Sequence, residues 1–166
     1  MIFDKESGMQ QVKELLHLYT DLQLSSVSID QFVLSGYIGV NRTSKGYTLC
    51  KKYQIEIIVP ILSEKLPYVV DIGQNIDENY PHRYMDGRLC LETDTCIRIR
   101  FLEGFSLLAW VSEYVEPYFF SYEYYNRYCE FPFGERGHGL EGILQTYEVL
   151  FEESIRYTKL RKFKKR

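Results

Sequence analysis

Two long runs of alternating hydrophobicity on either side of a turn-rich segment constrain this chain more than any other feature. Phe32, Leu34, Gly36, Ile38 and Val40 alternate with Val33, Ser35 and Tyr37, the period of a strand with one buried face. Tyr53, Ile55, Ile57 and Val59 alternate with Gln54, Glu56 and Ile58 inside a second β-type run, Tyr47 to Pro60. Between the runs, Asn41-Arg-Thr-Ser-Lys-Gly46 is rich in turn formers and predicts a hairpin loop.

The flanking segments set the order of elements. Val12, Leu15, Leu16, Tyr19 and Leu22 recur at helical intervals and predict an amphipathic helix over 9–23. Ser25 to Asp30 reads as a polar break. Pro60 and Pro67 frame a loop, and Tyr68-Val-Val-Asp-Ile72 predicts a short strand. Further on, Cys96-Ile-Arg-Ile-Arg-Phe101 has a β-type pattern. Phe105, Leu107, Leu108, Val111, Tyr114, Val115 and Tyr118 mark a helix over 105–120, with Pro117 expected to kink or close it and Trp110 packed in its core. An aromatic and glycine-rich stretch, Tyr122–Gly139, leads to a last amphipathic helix traced by Leu140, Ile143, Leu144, Tyr147, Leu150, Phe151 and Ile155. No repeat or low-complexity linker interrupts this α+β order. A single domain over 1–166 is expected, ending in a basic segment, 156–166.

With 166 residues, 45% of them hydrophobic and 26% charged, the chain can bury a sizeable core and has an ordinary soluble composition. Many of its 15 tyrosines cluster at 114–128, which suits a half-buried wall or an interface. The first residues carry no charged-then-apolar signal, and no apolar run is long enough to span a membrane, so a cytoplasmic protein is expected. Cys50, Cys90, Cys96 and Cys129 then read as thiols. Their spacing, and that of His17, His82 and His138, matches no zinc pattern, and neither a metal nor a cofactor is expected. Residues 156–166 hold seven Lys or Arg and no acid. They read as a solvated helix end or a surface for an acidic partner, and the acidic body argues against nucleic acid.

The segment with the most chemical content is residues 80–92, Tyr-Pro-His-Arg-Tyr-Met-Asp-Gly-Arg-Leu-Cys-Leu-Glu. It resembles the active-site segment of ubiquitin-conjugating enzymes, in which His-Pro-Asn precedes a nucleophilic cysteine within Asn-Gly-x-Ile-Cys-Leu-Asp. Tyr80-Pro81-His82 stands at His-Pro-Asn, Asp86-Gly87 at Asn-Gly, Leu89 at Ile, Cys90 at the nucleophile and Glu92 at Asp. The His82 to Cys90 spacing is that of the family, but the Asn is a His. The order of elements over roughly 10–120 is also similar to the family's: a first helix, a four-stranded antiparallel meander, an irregular active-site segment, then central and C-terminal helices.

The resemblance implies a transferase that holds a protein C-terminus as a thioester on Cys90 and passes it to a lysine. It implies that His82 stabilises the oxyanion or fixes the loop, as the family's Asn is credited with doing. Asp86 and Gly87 are supporting residues in this reading. Phe133-Gly-Glu-Arg-Gly-His-Gly139 matches no phosphate-binding fingerprint. It reads as a tight turn into a helix, or as a flap over Cys90 from which Glu135 or His138 steers the incoming lysine. Because typical eukaryotic members lack this motif, the chain is similar to a divergent bacterial branch associated with antiphage operons of cyclic-oligonucleotide signalling. The implied partner is a nucleotidyltransferase or ubiquitin-like protein whose C-terminus is loaded. No nucleotide-binding motif is visible in the chain, so adenylation is expected from a separate enzyme.

Three other readings use the same residues. Cys90 can be a small buried hydrophobe and His82 a loop residue. The fold can be a binding module for a ubiquitin-like or partner tail without chemistry. Cys90 and Cys96 can form a redox pair.

Overall fold

Asp4 starts the first element. Its carboxylate accepts from the amides of Glu6 (2.9 Å) and Ser7 (2.8 Å), satisfying two of the donors a helix start leaves open. Helix α1 (Lys5–Leu18) follows and buries Val12 and Leu15. It is seen in a computed structural model that describes residues 3–134 and positions 144, 145, 147, 148 and 151. α1 starts and stops earlier than its apolar spacing predicts. Tyr19 leaves helical geometry (φ −99°, ψ 73°), and Leu22 opens strand β1 (Leu22–Val27). The expected polar break from Ser25 is therefore partly strand. β1 lies at the edge of the sheet, bulged between Leu24 and Ser26, with serines on its exposed side. Edge position and bulge erase the apolar alternation that would have announced it.

The four strands form an antiparallel meander in the order β1-β2-β3-β4, where β2 is Gln31–Ser44, β3 is Tyr47–Pro60 and β4 is Tyr68–Val70. The register pairs Phe32 with Val59, Leu34 with Ile57, Gly36 with Ile55 and Ile38 with Tyr53, so the alternation read from sequence becomes one buried face. The expected loop Asn41–Gly46 is mostly strand. Pairing continues to Ser44 and Tyr47, and only Lys45 (φ 48°) and Gly46 (φ 75°) turn the chain. Two successive left-handed residues give the tight turn whose twist matches a hairpin. β4 stops at Val70, two residues short of expectation. Asp71 is buried, and its carboxylate accepts from the Ile76 amide and Asn75 Nδ2, both at 2.8 Å.

The stretch expected as a β-type piece at 96–101 is helix α2 (Asp94–Arg100). Thr93 Oγ1 accepts from the Cys96 amide (3.3 Å), Asp94 lies in the first turn and Arg98 and Arg100 in the last, an arrangement that suits the helix dipole. The Ile-Arg repeat is compatible with either period over so short a span; the cap decides.

Helix α3 (Leu107–Trp110), a π-helical segment (Val111–Val115) and helix α4 (Glu116–Tyr128) follow one another without a break. Pro117 neither ends nor closes the helix at 120. It lies in the first turn of α4, immediately after the π segment, where the wider turn relieves the need for the amide that proline lacks. Residues 122–128, expected in an irregular stretch, are therefore helical. Cys129 (φ 54°) ends α4, its amide bonded to the Tyr125 carbonyl at 2.8 Å.

α4 packs on β2 and β3, and α3 packs against α1. Phe119 stacks on Tyr53 with centroids 4.1 Å apart, and Trp110 is fully buried. Burial of each such side chain stabilises the fold by about 1.5–3 kcal/mol. Tyr118 and Tyr122 are buried, and Tyr114, Tyr124 and Tyr125 half-buried, forming a wall of the kind the tyrosine cluster predicts. Positions 144, 145, 147, 148 and 151 are helical; the other residues of the expected last helix, the Glu135–His138 segment and the basic end 156–166 lie outside the described residues. Among the described residues no helix is long and apolar enough to cross a membrane.

Candidate active site

The chain crosses from β4 to α2 in an irregular segment, and a small hairpin stands within it. The Tyr84 amide donates to the Arg88 carbonyl (2.9 Å), Arg83 bridges Leu89, and the Cys90 amide donates to the His82 carbonyl (2.8 Å). Partners 82 and 90, 83 and 89, and 84 and 88 are symmetric about Asp86. The eight-residue spacing of His82 and Cys90 is thus the spacing of opposed residues in a hairpin. Gly87, at φ 83°, takes the left-handed position at its tip, and its amide closes the turn onto the Tyr84 carbonyl at 3.0 Å.

The second arm of the hairpin is tied to β4. The Leu89 amide donates to the Val69 carbonyl and the Asp71 amide to the Gly87 carbonyl, each at 3.0 Å. The first arm is tied to α4. The Tyr118 hydroxyl donates to the His82 carbonyl (3.0 Å), and the Tyr122 hydroxyl accepts from the Asp77 amide (3.1 Å). Cys90 therefore sits on backbone fixed from two sides, with its own side chain half-exposed.

Cys90 faces an open groove of about 1010 Å³, lined by Leu66, Tyr68, Tyr84, Arg88 and Asp94 among others. Its sulfur accepts a hydrogen bond from the Tyr84 hydroxyl at 3.5 Å. That bond, with partial burial, pushes the Tyr84 phenol up to about 12. The Arg88 guanidinium lies 5.3 Å from the Tyr84 ring centre and 5.7 Å from that of Tyr68, and its Nε donates to Asp86 at 2.7 Å. Asp86 is held below the usual carboxylate range, first by the Arg88 amide and then by its side chain.

Of the residues singled out in the sequence, Cys90, His82, Asp86 and Gly87 come together in this one hairpin. The His82 backbone meets Cys90, whereas its ring packs edge-on against Phe131 (5.2 Å) and Tyr80 (5.6 Å). Asp86 and Gly87 form the tip. Glu135 and His138 lie outside the described residues. Sequence reasoning missed Tyr84, Arg88 and Tyr118. Tyr84 had a signal: two residues past His82 on a hairpin arm, it lies on the same face as Cys90 and diagonal to it.

No disulfide joins Cys50, Cys90, Cys96 or Cys129. Among the described residues no group of His, Cys, Asp or Glu is placed to hold a metal ion. A half-exposed thiol on fixed backbone, open to a groove and bonded to a phenol, can act as a nucleophile toward an acyl group entering along that groove. No family model, curated protein or solved structure matches the chain.

Proposed function

We propose that the chain is a ubiquitin-conjugating-like acyl carrier. In this reading the mixed α+β fold is of that family's type, with the first helix, four-stranded meander, hairpin segment and long helix in the family's order. The Cys90 thiolate attacks the activated C-terminus of a partner protein; a C–S bond forms and the activating group leaves. A lysine amine then attacks the thioester carbon, the C–N bond forms, the C–S bond breaks and the thiolate is regenerated, with the amine proton passing to solvent. The loaded partner is a nucleotidyltransferase or ubiquitin-like protein of a bacterial antiphage operon, and a separate enzyme supplies adenylation.

The observation that carries this reading is the opposition of His82 and Cys90 across the hairpin, with Cys90 half-exposed at the groove. The family motif has the same eight-residue spacing. The test is intact-mass analysis of the protein after incubation with the candidate partner, its adenylating enzyme and ATP. An adduct on Cys90 that thiol reductant removes is expected. A stable complex with no adduct would instead support a binding module, and a loss of two mass units a redox pair.

A further inference from the structure

We infer that the Tyr84 hydroxyl is the donor that serves the Cys90 sulfur while it takes up and gives up an acyl group. The thiol half of this inference stands on geometry alone, and the transfer half rests on the acyl-carrier reading above.

The hydroxyl reaches Sγ at 3.5 Å from the diagonal position of the same hairpin. Its ring is not left to swing. The Tyr84 amide is bonded to the Arg88 carbonyl, and the Arg88 guanidinium covers the ring while Asp86 anchors it. His82, by contrast, holds the Cys90 amide through its carbonyl and turns its ring to Phe131 and Tyr80. The His82 carbonyl fixes the Cys90 backbone, and the Tyr84 hydroxyl reaches its sulfur.

A donor at the sulfur is also close to the thioester oxygen, which is two bonds away. In loading, the hydroxyl stabilises the attacking thiolate and then the oxyanion. In discharge it returns from the oxyanion to the departing thiolate as the C–S bond breaks. The phenol keeps its proton throughout, since its acidity is weakened well beyond neutral pH. The charged and titratable groups around Cys90 are His82, Asp86, Arg88 and Glu92 of its own segment, Asp94 and Arg98 of α2, Glu64 and Lys65 before β4, and Tyr118 of α4. Tyr84→Phe leaves all of them in place, so it isolates the hydroxyl.

The experiment compares native protein and Tyr84→Phe in two arms. In the first, iodoacetamide modification of Cys90 is followed by peptide mass between pH 6 and 9.5. Tyr84→Phe should react roughly threefold to tenfold more slowly at pH 7 and match or overtake the native protein at pH 9.5, above the ordinary range of cysteine thiols. A merely structural effect would change the rate equally at every pH, and such a parallel shift, or no shift, overturns the inference. In the second arm, Cys90 is charged by exchange with a short glycine-ended peptide thioester and discharged with free lysine. Tyr84→Phe should slow discharge by about 10²-fold, the loss typical of one oxyanion donor. Equal discharge by both proteins overturns the transfer half while leaving the carrier reading intact. A native thioester that does not pass to lysine overturns the carrier reading and the transfer half together, and the first arm then decides the thiol half alone.

Discussion

The carbonyl of His82 accepts the amide hydrogen of Cys90 at 2.8 Å, so the two residues of the motif are joined by a backbone bond across the hairpin. The same oxygen accepts from the Tyr118 hydroxyl at 3.0 Å. A motif spacing that looks arbitrary in one dimension is thereby a hairpin register, and the register is anchored on the long helix.

Cys90→Ala should abolish adduct formation and leave the melting temperature within a few degrees of native, because a half-exposed thiol carries little packing energy. Cys90→Ser and Cys90→Lys should trap the loaded chain as an ester and an amide that resist thiol reductant. Retained transfer by Cys90→Ala, with loss in a Cys50, Cys96 or Cys129 variant, would place the nucleophile elsewhere.

His82→Asn should retain more activity than His82→Ala in single-turnover discharge, since the amide can refill part of the space against Phe131 and Tyr80. His82→Ala should cost less than Tyr84→Phe. A loss of about 10²–10³-fold in His82→Ala, with Tyr84→Phe near native, would restore the ring of His82 as the oxyanion donor.

Tyr118→Phe removes the hydroxyl that anchors the His82 carbonyl but leaves the ring in the core. A loss of about 0.5–1.5 kcal/mol in urea unfolding is expected. Amide exchange at Cys90 should quicken as well. Unchanged exchange at Cys90 would mean that the first arm of the hairpin does not depend on α4.

Gly36 and Gly39 lie three residues apart on β2 and should respond oppositely to alanine. A Cβ at Gly36 would fall 2.2 Å from the Asp21 carbonyl, with φ at 145°, whereas at Gly39 the nearest atom is Lys52 Cγ at 3.9 Å. Gly36→Ala should destabilise by about 2–4 kcal/mol through backbone strain and overlap. Gly39→Ala should be neutral or slightly stabilising in the same chemical denaturation measurement. Comparable midpoints for the two variants would show that the α1–β1 junction at Asp21 yields easily.

Asp86 gives the hairpin an acid-sensitive tip. Its folded-state pKa is lowered from the usual 3.8, chiefly by the Arg88 amide. Its contribution is therefore complete above the ordinary carboxylate range and fades as pH falls through the lowered value. The Arg88 Nε proton resonance should hold steady from neutral pH to about pH 5 and move only in stronger acid. Asp86→Asn should abolish that acid limb.

The long strands were legible because β2 and β3 alternate over many residues with one face buried. The turn between them was overestimated because Asn41 to Ser44 are turn formers by composition yet pair across the ladder. α2 was read as a strand because Ile97-Arg-Ile99-Arg fits period two, and the Thr93 cap that decides for helix is a single hydroxyl. Cys90 and His82 were legible through spacing. Tyr84 is legible only once the 82–90 spacing is taken as a hairpin register, which then puts it diagonal to Cys90.

The π segment at Val111–Val115 sets the rotational phase between the two ends of one continuous helix. Its front end is clamped by Gln11, whose side chain accepts from the Leu107 amide (2.7 Å) and donates to the Phe105 carbonyl (3.0 Å). Its rear end must aim Tyr118 and Tyr122 at residues 82 and 77. Each residue of a regular helix advances the azimuth by about 100°. Winding 111–115 as regular α-helix with all five residues kept would add about one residue's rotation and swing both hydroxyls off their partners while the front clamp stayed put, whereas deleting one residue would nearly cancel that rotation. The site thus depends on an irregularity of the helix rather than on the helix itself: a more ideal version of this element would be a worse one.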